Sequence, residues 1–161
     1  MAEHIDIPAE GGKKELYEAL IPQIESVVGG EKNIVANMAN VTAMLKEVLG
    51  FFWVGFYVAE DENTLVLGPF QGTLACTRIK KGRGVCGSVF GNGKSLLVSD
   101  VEEFPGHIAC SSLSKSEVVV PIVKDDRVIG VLDVDSDELN AFDDVDKEYL
   151  EKIALVVSKL F

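Results

Sequence analysis

The segment Glu117-Val-Val-Val-Pro-Ile-Val-Lys-Asp-Asp-Arg-Val-Ile-Gly-Val-Leu-Asp-Val-Asp135 carries the clearest secondary-structure pattern in the chain. Apolar residues alternate on both sides of a Lys-Asp-Asp turn, which predicts two antiparallel strands over 117–123 and 127–135. Successive side chains of a strand point to opposite faces of the sheet. One face is therefore predicted to be the core, and its residues are Val118, Val120, Ile122, Val128, Gly130, Leu132 and Val134.

The flanking segments predict an α+β domain. Residues 51–59 and 64–70 show a second period-two pair, and 95–99 predicts a short fifth strand. Helical spacing appears instead in residues 13–28, in 32–49 and in a C-terminal segment after Asp143 or Asp144, and Pro22 is expected to kink or interrupt the first helix. Two helices, a strand-rich middle and a closing helix favour a central antiparallel sheet with helices packed on one face.

Length and composition predict one domain over 13–161 after an N-terminal tail of residues 1–12. The chain has 161 residues, of which 47% are hydrophobic, which suffices for a single core. No apolar run is long enough to cross a membrane and no secretory signal is visible, so we expect a cytoplasmic protein. The net charge of −11 disfavours nucleic acids and anionic membranes as partners, because binding phosphate requires positive charge.

The second face of the predicted sheet carries an unusual set of side chains. Strand alternation places two aromatic and three acidic residues there, namely Trp53, Tyr57, Glu117, Asp133 and Asp135. Acidic residues are depleted inside strands, so their presence needs a reason. Either this face is solvated, or the glycine-containing loops 72–94 and 100–116 cover it and form a pocket for a cationic, partly apolar ligand.

Three cysteines, Cys76, Cys86 and Cys110, lie in polar, glycine-containing segments. Cys76 stands two residues before a basic run, which favours a reactive thiolate, while Cys86 also suits a packing role at the start of a helix near residue 84. Zinc is disfavoured because Cys-x9-Cys and Cys-x23-Cys lack the close pair of structural sites. A cysteine–histidine pair of Cys110 and His107 is a further alternative, although His107 also suits a role in shaping the loop.

Several motifs in order resemble the free methionine-(R)-sulfoxide reductases, which are stand-alone enzymes of the GAF fold. The resemblance extends from about residue 13 to the C-terminus and includes all three cysteine contexts. Its motifs are Trp53-Val-Gly-Phe-Tyr57, Leu67-Gly-Pro-Phe-Gln-Gly72, Ala75-Cys-Thr-Arg-Ile79, Gly82-Arg-Gly-Val-Cys-Gly87, Phe104-Pro-Gly-His-Ile-Ala-Cys110, Ser116-Glu-Val-Val-Val-Pro121 and Ile129-Gly-Val-Leu-Asp-Val-Asp135.

The resemblance implies a role for each cysteine. Cys110 would be the nucleophile, Cys76 would resolve its sulfenic acid as a Cys76–Cys110 disulfide, and Cys86 would be an alternative partner or a bystander. Residues 53, 57, 117, 133 and 135 would line the substrate pocket. The family commonly has an aspartate directly after the nucleophile, where this chain has Ser111. If that acid tunes the thiol, we expect a lower rate or a shifted pH optimum.

The resemblance also implies that no cofactor or metal binds the chain and that thioredoxin is the external reductant. The oligomeric state is open, with a homodimer among the possibilities. A competing hypothesis from another class is a non-catalytic GAF sensor that binds a small ligand or reports redox state through Cys76 and Cys110. The absence of an output domain in this chain and the extent of the cysteine motifs favour the enzyme.

Overall fold

The computed structural model describes residues 4–107 and 110–161, so the first three residues of the predicted tail and Ile108 and Ala109 of the loop motif lie outside the described residues. Six strands form one antiparallel sheet in the order β3-β2-β1-β6-β5-β4. The strands are β1 (Trp53–Asp61), β2 (Thr64–Gln71), β3 (Arg78–Lys80), β4 (Leu96–Val98), β5 (Ser116–Lys124) and β6 (Arg127–Ser136).

Three helices cover one face of this sheet, as predicted: α1 (Lys13–Gly29), α2 (Ile34–Leu49) and α4 (Asp144–Ser158). Asn33 caps α2 by accepting a hydrogen bond from the Ala36 amide, and Gly50 ends that helix with a φ of 67°. Asp143 is the N-cap of α4 and accepts hydrogen bonds from two amides of the first turn. The termini therefore follow local capping chemistry that is visible in the sequence.

The predicted interruption at Pro22 does not occur, because α1 continues through this residue to Gly29. Proline removes the amide that would bond to the carbonyl of Glu18, four residues earlier. Both Pro22 and Glu18 lie on the exposed side of the helix. Water can hydrate the freed carbonyl there, so the helix tolerates the proline.

The main core lies between these three helices and the predicted apolar face of the sheet. Its fully buried strand residues include Val54 and Phe56 of β1, Val118 and Val120 of β5, and Leu132 of β6. Their alternation is the pattern expected from the sequence. Since the same strands carry the acidic residues on their other side, burial of this core face fixes the direction in which the carboxyl groups point.

One residue assignment to the core face is wrong. Val128 packs with the second cluster of apolar residues on the opposite face, and Ile129 packs against the main core instead. The pairing of β5 with β6 shifts at this point, since Ile122 pairs with Gly130 and Val123 with Val128, leaving Ile129 as an extra residue. A β-bulge of this kind reverses the alternation, which a period of two cannot predict.

The opposite face of the sheet carries a fourth helix, α3 (Gly84–Asn92), which packs on β5 and β6. The sequence indicated only that a helix begins near residue 84. Gly87 allows α3 to lie close to β3. A Cβ atom at this position would clash with the carbonyl oxygen of Lys80, so only glycine fits here. The loop segments 72–77, 100–107 and 110–115 complete this second layer, and Val101–Glu103 forms a short 3-10 helix.

Among the described residues, no helix has the length and apolar composition needed to cross a membrane.

Candidate active site

The register of the three central strands brings the predicted acidic and aromatic residues together. Asp135 of β6 pairs with Trp53 of β1 on one side and with Glu117 of β5 on the other. Asp133 pairs with Gly55 and Val119, which are small enough to leave its carboxyl group open to the space above the sheet. Directly paired residues point to the same face, so the three carboxyl groups converge.

Two hydrogen bonds tie the loop after β2 across this face. The indole Nε1–H of Trp53 donates to the carbonyl oxygen of Thr73 at 3.0 Å. The hydroxyl of Tyr57 donates to the carbonyl oxygen of Cys76, also at 3.0 Å. With this cover Glu117 is 7% exposed and Asp133 is 6% exposed. The hypothesis of a solvated acidic face is therefore wrong, and the alternative of a loop-covered pocket is confirmed.

Aromatic side chains form one wall of the pocket. The ring of Trp53 stacks on Phe70 at 5.4 Å between centroids and lies 6.2 Å from the ring of Tyr57. Gly55 lies beneath the indole, where a Cβ atom would be 2.5 Å from Cη2 of Trp53. The absence of a side chain at this position lets the indole lie flat against the strand.

A disulfide between Cys76 and Cys110 closes the pocket from above, with the two Cα atoms 5.2 Å apart. The cavity measures about 40 Å³. That volume accommodates a few water molecules, since one needs about 10–15 Å³. Seven of the eight residues predicted for the site line this cavity, namely Trp53, Tyr57, Cys86, Cys110, Glu117, Asp133 and Asp135, and the eighth, Cys76, is joined to it through the disulfide.

Cys86 has a different environment from the other two cysteines. It lies in the first turn of α3 as a free, buried thiol, and its Sγ–H donates to Oε1 of Glu117 at 3.8 Å. Burial, together with the nearby charges of Asp133 and Glu117, raises the pKa of this thiol well above its ordinary value. Cys86 therefore stays protonated and is a poor nucleophile in this state.

The three carboxyl groups differ in how readily they ionise. Burial first, and then the neighbouring Asp133 charge, raise the pKa values of Glu117 and Asp135 well above the usual range. Burial raises the pKa of Asp133 only to about 6, because hydrogen bonding to Cys86 and Glu117 favours its ionised form. Burial and mutual repulsion thus favour the protonated forms of Glu117 and Asp135, and Asp133 is the carboxyl group whose ionised form is favoured most.

One oxygen of this carboxylate has no hydrogen-bond partner among the described residues. It is Oδ1 of Asp133, which is fully buried. A buried charged oxygen without a partner is costly, and such atoms are rare in folded proteins. The atom is therefore placed to accept a hydrogen bond or a positive charge from a bound ligand.

Hydrogen bonds to α3 and within the loop hold the segments on either side of the Cys110 motif. The Gly84 amide at the start of α3 donates to the Gly106 carbonyl oxygen at 3.1 Å. Ser111 accepts a hydrogen bond on Oγ from the Leu113 amide at 3.2 Å. A serine here thus performs the turn-stabilising role that an aspartate side chain commonly performs.

The alternative roles proposed for the thiols can be compared with this geometry. Because Cys76 and Cys110 are bonded to each other, neither is available in this form as a zinc ligand or as the partner of a histidine. His107 lines the cavity, and burial lowers the pKa of its imidazole. Its amide also donates to the Phe104 carbonyl oxygen at 3.1 Å, consistent with a role in shaping the loop.

The basic run between Cys76 and Cys86 divides between surface and pocket. Arg78 pairs with Glu60, Lys80 donates to the hydroxyl of Thr64 at 2.8 Å, and Lys81 lies over the ring of Phe90. Arg83 is the member of the run that lines the cavity. The sequence pattern predicted thiol activation for the whole run and did not identify Arg83 as a pocket residue.

The fold and site together define a small-ligand-binding domain with a cysteine pair at its pocket. The GAF domain family matches residues 34–160. A GAF domain-containing protein A of Dictyostelium discoideum is 62% identical over 153 residues, covering 95% of this chain and 96% of that protein. The free methionine-R-sulfoxide reductase of Saccharomyces cerevisiae is 41% identical over 166 residues, covering 98% and 92% of the two chains.

A solved structure shows the same relationship. The free methionine-R-sulfoxide reductase of Neisseria meningitidis, determined in complex with its substrate, superposes with a TM-score of 0.93 and 51% identity, covering 98% of this chain and 96% of that one. The chain therefore belongs to the GAF domain family and, within it, to the free methionine-R-sulfoxide reductases, which are oxidoreductases. The predicted resemblance and fold class are confirmed.

Proposed function

We propose that this protein reduces free methionine-R-sulfoxide to methionine and that Cys110 is the nucleophile. The observation that carries this proposal is the Cys76–Cys110 disulfide lying at a buried pocket with three carboxyl groups. The named activity of the yeast and Neisseria relatives supports the choice of substrate. The disulfide form corresponds to the enzyme after one turnover.

Asp133 is the proposed partner of the substrate ammonium group. It is the carboxyl group that ionises most readily of the three, and its Oδ1 is buried without a partner among the described residues. An ammonium group would supply both the missing hydrogen bond and the compensating charge. A methionine sulfoxide within a peptide has no such charge and would leave this carboxylate unpaired, so the site selects the free amino acid.

Two further contacts follow from the cavity lining. Trp53 and Tyr57 provide apolar surface for the S-methyl group and the side-chain carbons. Arg83 provides a cation at the same cavity, and a guanidinium suits the substrate carboxylate because it can donate two parallel hydrogen bonds. The substrate ammonium group would thus bind Asp133 of β6, and the substrate carboxylate would bind Arg83, which precedes α3.

The chemical steps use two cysteines and one proton donor. The Cys110 thiolate attacks the sulfoxide sulfur, and the oxygen must gain a proton as the sulfur–oxygen bond weakens. Burial raises the pKa values of Glu117 and Asp135 and so favours their protonated forms, which makes both candidates for the proton donor. The protonated oxygen then passes from the substrate sulfur to the Cys110 sulfur as the bond between the two sulfur atoms breaks, so methionine departs and leaves Cys110 as a sulfenic acid.

The Cys76 thiol then attacks the sulfenic sulfur, forming the disulfide and releasing the oxygen as water. The substrate sulfur is reduced by two electrons, and the two cysteines are oxidised by the same number. An external dithiol resets the pair by exchange, and we propose thioredoxin for this step. No bound cofactor is needed for any step. Cys86 lies outside the route, since its thiol is buried and protonated.

The test is a thioredoxin-coupled assay with three substrates: free methionine-R-sulfoxide, free methionine-S-sulfoxide and an R-sulfoxide blocked at its amine. We expect turnover with the first alone. Equal rates on the blocked compound would contradict the ammonium contact. Failure of all three, with retained ligand binding, would contradict the enzyme assignment and favour a sensor.

Variants separate the two cysteine roles in a single-turnover experiment without reductant. Cys110→Ser should release no methionine. Cys76→Ser should release one equivalent and accumulate a sulfenic acid that a dimedone-type probe traps. Release of methionine by Cys110→Ser would overturn its role as the nucleophile.

A further inference from the structure

Cys86, whose thiol the proposed reaction does not use, lies in a buried polar environment. Its Sγ, a carboxylate oxygen of Glu117 and a carboxylate oxygen of Asp133 all lie within 4.8 Å of one another. The three residues come from separate elements, α3, β5 and β6, and all are buried. A thiol and two carboxyl groups converging on one point form a donor set of one soft and two hard ligands.

We infer that Cys86, Glu117 and Asp133 form a binding site for a thiophilic divalent cation of the zinc type. Zinc binds cysteine sulfur at about 2.3 Å and carboxylate oxygen at about 2.0–2.2 Å. A tetrahedral ion therefore separates a sulfur and an oxygen ligand by about 3.5 Å. The distance between Sγ of Cys86 and Oε1 of Glu117 is 3.8 Å, so small side-chain rotations suffice.

The unpartnered Oδ1 of Asp133 is an independent indication that this carboxyl group binds a ligand. Asp133 is 6% exposed, and this oxygen has no partner within the part of the chain that the structure describes. Any cation would satisfy it, including the substrate ammonium. The ammonium group gains little from a neighbouring sulfur, whereas a zinc-type ion gains a bond to it, so the position of Cys86 favours the metal as a second occupant.

Cys86, Glu117 and Asp133 all line the cavity, so a fourth ligand of the ion would come from the cavity. Three protein ligands and a free fourth position are typical of zinc sites that exchange a water or a small ligand. A metal bound here would occupy the carboxylate proposed for the substrate ammonium, so the two occupants would exclude each other. This competition rests on the proposed function, whereas binding of the metal does not.

The disulfide form permits a clean experiment because Cys86 is its free cysteine. Co²⁺ is the probe, since it takes the place of zinc and gives a sulfur-to-cobalt charge-transfer band in the near ultraviolet when a thiolate binds it. We expect oxidised wild-type protein, titrated with Co²⁺, to show this band with a stoichiometry of one, and Zn²⁺ to abolish it by displacement.

Variants identify the ligands. Cys86→Ser should lose the band, and Asp133→Asn should weaken Co²⁺ binding at least about tenfold, whereas Glu138→Gln, at an exposed acidic residue, should leave both unchanged. Absence of the band in folded wild-type protein would overturn the proposal whatever the variants do. Weak Co²⁺ binding that Cys86→Ser does not alter would show adsorption to surface carboxylates only. That result would also overturn the proposal. Neither result would contradict the proposed reductase activity, because the experiment measures metal binding alone.

Discussion

The hydroxyl of Tyr57 donates a hydrogen bond to the backbone carbonyl of Cys76, at 3.0 Å, and so links the floor of the pocket to the cysteine proposed to resolve the intermediate. Tyr57 is 2% exposed, and burial raises the pKa of its phenol far above the ordinary value. The phenol therefore remains a hydrogen-bond donor at every pH at which the protein works. This contact holds the segment bearing Cys76 over the cavity.

Tyr57→Phe should slow formation of the disulfide without removing the aromatic wall. Loss of one buried hydrogen bond costs about 0.5–1.5 kcal/mol, which corresponds to about a 2–10-fold fall in the fraction of molecules with Cys76 in place. Rapid-quench measurement of disulfide formation after one substrate addition checks this. An unchanged rate of disulfide formation, with the variant folded, would show that the contact does not position Cys76.

Gly55→Ala should displace the indole of Trp53. A Cβ atom at this position would lie 2.5 Å from Cβ of Phe70 and 2.5 Å from the indole ring, and neither can move without repacking the wall. Overpacking of this kind destabilises by about 1–3 kcal/mol. Urea unfolding measures the loss, and we expect a rise in KM for the sulfoxide with it.

Gly29→Ala is the matched control for that substitution. A Cβ atom at Gly29, at the end of α1, would contact nothing within 4 Å. The free energy of unfolding should be unchanged or slightly higher, by up to about 1 kcal/mol, because alanine has less freedom in the unfolded chain. If both variants lose the same stability, crowding against Trp53 is not the cause.

Asp133→Asn should stabilise the protein at neutral pH. Burial raises the pKa of Asp133 from 3.8 to about 6, so the folded state retains a proton that the unfolded state releases above about pH 4. The free energy of unfolding therefore decreases as the pH rises from about 4 to about 6. A shift of that size corresponds to a loss of up to about 3 kcal/mol of stability when Asp133 ionises. The asparagine side chain does not ionise, so the variant avoids this loss at higher pH.

Urea unfolding of the oxidised protein near pH 4 and near pH 8 checks this prediction. The gain in Asp133→Asn should appear at the higher pH and be small at the lower one. Asp137→Asn, at an exposed position of the same segment, should leave the pH dependence of stability unchanged. Equal effects of Asp133→Asn at both pH values would contradict the buried-charge explanation.

Substrate should bind the dithiol form and not the disulfide form. In the disulfide form Cys110 lines the pocket while bonded to Cys76, and the space left there, about 40 Å³, is room for a few water molecules. Calorimetric titration can compare oxidised wild-type protein with Cys110→Ser, which can neither turn over nor form the disulfide. We expect affinity at least about tenfold lower for the oxidised protein, and equal affinities would show that the disulfide does not close the pocket.

Much of the fold could be predicted from local sequence patterns. Alternation along 117–135 identified the two strands and showed that Glu117, Asp133 and Asp135 face away from the core. The same logic placed Trp53 and Tyr57 with them. This works because the two faces of a strand are defined by the chain itself, and burial of one face requires a matching apolar pattern.

The period-two pattern predicted the wrong face for a side chain where a β-bulge interrupts the regular strand. Ile129 is the extra residue of a bulge, and its effect on Val128 depends on pairing with the neighbouring strand. The position of α3 on the pocket face, and with it the burial of Cys86 and the approach of Arg83, likewise depends on packing against β5 and β6. No local signal encodes these contacts.

The sequence by itself determined which side chains share a face of the sheet, because that choice depends on alternation within single strands. Tertiary structure decided their chemistry. The pairing of Cys76 with Cys110, which are 34 residues apart, had only the family resemblance to indicate it until the folded loops brought them together. The order in which the three carboxyl groups ionise also comes from the folded state alone, since desolvation and mutual repulsion act only once separate strands and loops have excluded water from a common site.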